Sequence, residues 1–203
     1  MHERVERGLM SRARGGTVGE STGKMSYYAL QIWTGSEARF LALAEQRLRG
    51  ANARLLWPRR SLRIKRLGAW HESLAPIFPS YVFLQADSVG PTLYAGLKRA
   101  PGFVRFLPSN EKIAPLEKRD QALLSHFLSF GEIVEKSVAY FDENKSIRIV
   151  SGPLKGLEGM IVHVDRRKGR AKVRLAMYDN SFEVDFGFDS LEARVEIDTP
   201  RQG

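Results

Sequence analysis

Apolar residues in the first two thirds of the chain switch between two periods. Tyr27 to Trp33 (YYALQIW) is aromatic and branched and alternates well enough to predict a strand. Thr34, Gly35 and Ser36 then form a turn in which Thr34 or Ser36 can cap a helix. Phe40, Leu41, Ala44 and Leu48 follow at spacings of three and four, which predicts a helix from about Glu37 to Arg49, closed by Gly50. Leu55 to Trp57 predicts a short strand ended by Pro58, and Arg59 to His71 reads as a basic excursion with a mobile tip. Pro79 has no N–H to give to a ladder, so the next strand should begin near Tyr81. Gly90 and Pro91 introduce a helix to about Arg99, Pro101 and Gly102 turn the chain into a strand over Phe103 to Leu107, and Pro115 opens a helix that stops at Gly131. This order predicts an α+β sandwich, an antiparallel sheet covered by helices, over residues 26–131.

Residues 132–143 change composition and lack a clear period, which predicts a linker. Beyond it the pattern is all strand: Ile147 to Val150, Glu158 to Val164, Ala171 to Ala176, Ser181 to Phe186 and Glu192 to Ile197, separated by glycine, proline and Asn/Asp turns. Five short strands in so little chain predict a small β-barrel over residues 144–197, with 198–203 as a tail. Residues 1–25 are rich in arginine and glycine and have no apolar stretch of signal-peptide length. They read as an unstructured extension, with Met25 as an alternative start.

Charge adds a second layer. The formal net charge is +9, but its distribution is uneven. Between Arg39 and Arg66 nine basic residues face one acid, Glu45, and between Arg166 and Arg174 six basic residues face none, whereas Leu67 to Glu143 is close to neutral. Concentrated positive potential attracts phosphate backbones and releases their counterions. The absence of cysteine excludes disulfides, thiolate metal sites and cysteine nucleophiles, and suits a cytoplasmic protein. No apolar run is long enough for a helical membrane span. The four histidines have no ligand spacing, the aspartates Asp165, Asp179, Asp185 and Asp189 are spread over different strands and turns, and Gly152 to Gly156 lacks the spacing of a phosphate loop. The expectation is a binding protein without a catalytic set, cofactor or metal.

Two motifs sharpen this. Val150-Ser151-Gly152-Pro153-Leu154-Lys155-Gly156-Leu157-Glu158-Gly159, with the hairpin Asp165 to Arg170 behind it, resembles the KOW motif of transcription factors and ribosomal proteins. Gly152, Gly156 and Gly159 suit the positive or crowded backbone angles of a barrel corner. The segments Tyr27 to Glu37, Phe78-Pro79-Ser80-Tyr81-Val82-Phe83-Leu84 and Ala100-Pro101-Gly102-Phe103-Val104 resemble, in order and spacing, the N-terminal domain of the NusG family of transcription elongation factors. That resemblance implies a monomer whose first domain docks on RNA polymerase through an exposed aromatic face centred on Phe78 and Tyr81, with Ile77 and Trp33 beside it. Ser80 stands where housekeeping members commonly carry glycine, Lys98-Arg99-Ala100 replaces residues that read non-template DNA in some members, and the barrel hairpin is unusually basic. These departures resemble the LoaP branch, associated with processive antitermination.

On that view Arg166, Arg167, Lys168, Arg170, Lys172 and Arg174 bind nascent RNA, the last three from one face of a strand. Arg59, Arg60, Arg63, Lys65 and Arg66 approach upstream or non-template DNA. The alternative is a housekeeping NusG-like factor whose barrel binds ribosomal or termination proteins through an apolar edge near Phe182, Val184 and Phe186.

Overall fold

The computed structural model describes residues 25–191. The expected N-terminal extension, apart from Met25, the expected strand at 192–197 and the tail lie outside them.

The aromatic run at the start forms β1 (Ser26–Ile32), and the periodic run after it forms α1 (Glu37–Arg47). The basic excursion is not irregular. After β2 (Ala53–Leu56) the chain makes a long hairpin, β3 (Arg59–Arg66) and β4 (Ala69–Pro76), whose turn residues Leu67 and Gly68 both have positive φ. Such a turn matches the right-handed twist of its strands. The cationic side chains of β3 hid the strand from a reading that looks for apolar alternation. β5 (Tyr81–Ala86), α2 (Pro91–Lys98), β6 (Phe103–Phe106) and α3 (Lys118–Leu128) complete the first unit, and its four-stranded antiparallel sheet has the order β2-β5-β1-β6.

β5 is the central strand, and its sequence YVFL is buried from end to end because both faces of the sheet are covered. Val82, Leu84 and Ala86 face one way, into a core with Phe40, Ala44 and Leu97 from α1 and α2. Tyr81 and Phe83 face the other way, where they join Leu124 and Phe127 of α3. Helices therefore cover the sheet on both sides, but the second side is covered only in part by α3.

The segment 132–143, expected to be a linker, carries two strands. β7 (Ile133–Val134) pairs parallel with the start of β3, and β8 (Ser137–Phe141) belongs to the barrel. Its apolar residues are sparse because β7 is two residues long and β8 alternates. The barrel continues with β9 (Ile147–Ser151), a 3-10 turn at Glu158–Met160, β10 (Ile161–Asp165), β11 (Arg170–Met177) and β12 (Asn180–Ser190), in the order β10-β11-β12-β8-β9. Five strands are present as expected, but β8 is one of them. β12 also runs on through Gly187, read from the sequence as a break.

Of the three glycines singled out in the motif, Gly152 is the most constrained. Its φ is +93°, and a Cβ there would lie 2.7 Å from the Cα of Ser137, whose hydroxyl accepts from Leu154 N. Gly156 has φ +84° but open space around it, and Gly159 has neither restriction. Gly152→Ala should therefore destabilise the chain by about 2 kcal/mol or more, and Gly156→Ala by about 1 kcal/mol, read as shifts of the urea midpoint. Equal shifts would show that the close approach at Ser137 carries no weight.

Candidate functional site

The sheet face left open by α3 is closed by the barrel. Phe78 meets Phe83 edge-on at 5.4 Å and Phe127 at 6.0 Å, and Phe127 in turn stacks on Phe186 of β12 at 5.4 Å with the rings 10° from parallel. Tyr81 lies edge-on to Phe182 at 5.4 Å, and its hydroxyl accepts a 2.7 Å hydrogen bond from Asn180 Nδ2. One continuous apolar cluster therefore contains residues of both units. The expected exposed aromatic face is not exposed in this arrangement: Ile77, Phe78 and Tyr81 are 0%, 1% and 3% accessible. Trp33, at the end of β1, is 67% exposed and takes no part in the seam.

Polar contacts frame the apolar centre. Asp120, in the first turn of α3, accepts from Tyr178 N at 2.9 Å, and the His126 ring nitrogen Nε2 meets the Pro153 carbonyl at 2.8 Å. On the other side Arg60 reaches across from β3. Its Nε donates to the Asp185 carbonyl, its Nη1 donates to the Pro76 carbonyl, and its guanidinium lies over the Phe186 ring. Burial pushes this guanidinium down to about 10, against the nearby Asp185 carboxylate, so it stays charged at neutral pH. Arg60 was grouped by sequence with the DNA-facing residues; it is a seam residue instead. Arg59 is half-buried with its guanidinium over Trp57. Arg63, Lys65 and Arg66 extend along the hairpin towards its exposed turn.

The second basic cluster also changes in three dimensions. Arg170, Lys172 and Arg174 do share a face of β11, alternating with buried Ala171, Val173 and Leu175. The antiparallel register sets Lys172 against Asp185 and Arg174 against Glu183, and Arg174 Nη2 donates to Glu183 Oε1 at 2.7 Å, which holds that carboxyl below its usual range. Arg170 Nη2 donates to the Arg63 carbonyl at 2.5 Å. Counting charges along β11 alone missed the neutralising strand beside it, although Glu183 and Asp185 show the matching alternation in sequence. The positive charge without a cross-strand acid is concentrated at Arg166, Arg167 and Lys168, where Lys168 Nζ lies 3.3 Å from Asp165 and Arg166 donates to the Lys145 carbonyl at 2.8 Å with its guanidinium over Phe141. There Asp165 accepts from Lys168 N at 3.0 Å and braces the turn, and Gly169 takes φ +61°.

No helix of the described residues is long and apolar enough to cross a membrane, and no group of metal-binding side chains occurs among them.

The order of elements in both units meets two family descriptions. The description of the transcription termination factor NusG matches residues 25–124, and that of the KOW motif matches residues 143–174. The chain belongs to the NusG family. It is similar to the transcription termination/antitermination protein NusG of Haemophilus influenzae, with 26% identity over 176 residues that make up 83% of this chain and 94% of the relative. NusG of Borreliella burgdorferi is 28% identical over 123 residues, covering 57% of this chain and 67% of that one. A solved structure described as "Domain interaction in Thermotoga maritima NusG" covers 81% of this chain and 94% of its own at a TM-score of 0.54 and 20% identity, which is a likeness of fold. The α+β first unit and the barrel are thus those of a NusG-type transcription factor.

This NusG-family chain offers one chemical probe of its seam. The Tyr178 hydroxyl is buried without a hydrogen-bond partner among the described residues, and burial, with Asp120 and Glu117 nearby, pushes the phenol up to about 12. The folded state therefore binds the phenolic proton more tightly than the unfolded chain, and the associated stability is lost as pH rises from 10 through 12. Tyr178→Phe should stabilise the chain by about 1 kcal/mol at neutral pH by removing the unsatisfied hydroxyl, and its advantage should widen between pH 10 and 12. Urea unfolding at several pH values measures both, and a constant difference would refute the assignment.

Proposed function

We propose that this chain is a transcription elongation factor of the antitermination type, whose first unit docks on RNA polymerase and whose barrel binds nascent RNA. The observation that supports the polymerase reading is the state of the Phe78 and Tyr81 face. It is broad, aromatic and only partly covered by its own helix, and the rest of its cover comes from a separate folded unit. Large rings that bury much area at little rotamer cost suit an anchor for a partner. The barrel then acts as a removable mask, and polymerase binding through Ile77, Phe78 and Tyr81, with Trp33 at the margin, requires its release. An interface of this mixed apolar and polar kind within one chain resembles a transient complex, for which relative motion is the default.

The RNA reading is supported by the cationic turn Arg166 to Lys168, continued by Arg170, Lys172 and Arg174 in a graded way because the acids of β12 temper the far end. On the DNA reading Lys65 and Arg66, at the exposed end of the other hairpin, make the approach, since Arg59 is half-buried and Arg60 lies in the seam. One observation favours a second reading of the barrel. Phe182, Val184 and Phe186, which cover the mask site, would be uncovered on release and could take a ribosomal or termination protein. Antitermination in the manner of the LoaP branch is preferred because the turn Arg166 to Lys168 is more basic than a protein partner requires.

Substitutions on the barrel side test the mask without altering the docking face. Asn180→Ala with Phe182→Ala should raise the apparent affinity for RNA polymerase about tenfold, through a larger open fraction; unchanged or weaker binding by surface plasmon resonance would remove the mask. Replacing Arg166, Arg167 and Lys168 together by Ala should weaken RNA binding at least tenfold and flatten its dependence on salt. An unaltered affinity and salt slope would exclude the turn as an RNA site.

A further inference from the structure

The two basic runs are far apart in sequence and assigned to different nucleic acids by position, yet the fold sets them against each other. The hydrogen bond from Arg170 Nη2 to the Arg63 carbonyl joins the β3–β4 hairpin of the first unit to the barrel turn. Between them lies a cavity of 330 Å³, within the range of small-ligand sites of about 300–1,000 Å³. Arg63 and Trp70 form one wall, Lys136 lies at the junction of the units, and Arg166, Arg167 and Lys168 form the opposite wall.

Trp70 is the residue the rest of the structure leaves unexplained. It sits on β4, a strand whose side chains are mostly exposed, and is itself 45% exposed, so it does not belong to either core. Its recorded ring contact is with a cation, the Arg63 guanidinium 5.4 Å from the ring centre. Two of the cations around it, Arg63 and Lys136, are loosely held. Arg63 lies 3.9 Å from Glu72, and Lys136 lies 4.0 Å from Glu72 and 3.8 Å from Asp189, distances at which exposed pairs contribute little and yield readily to a phosphate. An indole with one open face beside concentrated positive charge is the pattern by which single-stranded nucleic acid is held, base on ring and phosphate on cations. Asp189 narrows the choice: a carboxylate repels a phosphodiester but accepts a ribose hydroxyl, the group that distinguishes RNA from DNA.

We propose that this cavity is a subsite for one nucleotide of single-stranded RNA, with its base on Trp70, its phosphate between Arg63 and the Arg166 to Lys168 turn, and its ribose towards Asp189. The proposal rests on the barrel turn being an RNA site and extends that site onto the first unit. Because its walls come from both units, the subsite is complete only while they are closed on each other. A ligand that binds only the closed form stabilises it, so RNA held here and polymerase held at the Phe78 face oppose one another.

The test uses the full chain and a fluorescently labelled hexauridylate, followed by anisotropy. Trp70→Ala should weaken binding about tenfold, Trp70→Phe should restore most of it, and Arg63→Ala should weaken it with a smaller salt slope. Asn180→Ala with Phe182→Ala, which loosens the seam, should weaken it as well. If the triple Arg166, Arg167, Lys168 substitution abolishes binding while Trp70→Ala and Arg63→Ala leave it unchanged, the subsite is wrong and the simpler turn site stands. If none of these changes matters, the turn site falls too. Equal binding of the deoxy hexamer would overturn the ribose contact and with it the choice of RNA, and full affinity in the loosened variant would overturn the dependence on closure.

Discussion

Phe127 ties the two units into one core. Its ring meets Phe78 edge-on under the central sheet and stacks on Phe186 of the barrel. A helix that covered its sheet completely would leave no room for a second unit, and one that covered less would expose a patch too apolar to remain in water. The short α3, only eleven residues long, leaves a gap that a single barrel face fills. The burial of Phe78 and Tyr81, the pinning role of Arg60 and the meeting of the two cationic hairpins all follow from that incomplete cover.

The composition of the seam is consistent with this. Its centre is aromatic, where stacked and edge-on rings add a specific geometry to area burial. Its margin is made of hydrogen bonds in which Asp120 accepts from a backbone amide, Arg60 and Asn180 donate and His126 meets a carbonyl, most of them to backbone groups. Backbone partners fix register without demanding a particular side chain on the other unit. Water can replace them at modest net cost when the units part, because exposed hydrogen-bonding groups are resolvated.

Much of this architecture was legible from residues alone. The period of three and four at Phe40, Ala44 and Leu48, the proline before Tyr81 and the glycine-rich corner at Gly152 each act through local geometry, so each was readable in a short window. What was not readable depends on partners distant in sequence. β3 looks like a loop because the hydrophobic pattern of a two-stranded hairpin is overwritten by arginine and lysine. β8 and β12 find each other in parallel across just over fifty residues, Ser137 pairing with Phe188. Arg60 and Arg63 are three apart in one basic run, yet the first is buried under Phe186 and the second faces an open cavity. Charge counting treats them alike; only the pairing of β3 with β7 and its approach to β12 separates them. Ser80 has a similar history: its φ of +68° explains why glycine suits that turn, and the Glu37 carboxylate and Thr34 hydroxyl compensate by bonding its amide and side chain.

The connection between the units is very short. Only Glu135 and Lys136 separate the last residue of β7 from the first of β8, so with both strands in place the ends of this leash can be no more than about 10 Å apart. A released barrel would remain beside its former seat at an effective concentration on the order of millimolar, and any rival for the Phe78 face must outcompete a neighbour that never diffuses away. β7 is held to β3 by a two-residue pairing. Peeling it off would lengthen the leash and dilute the competitor, so this small parallel ladder sets how far the barrel can stray and how soon it returns.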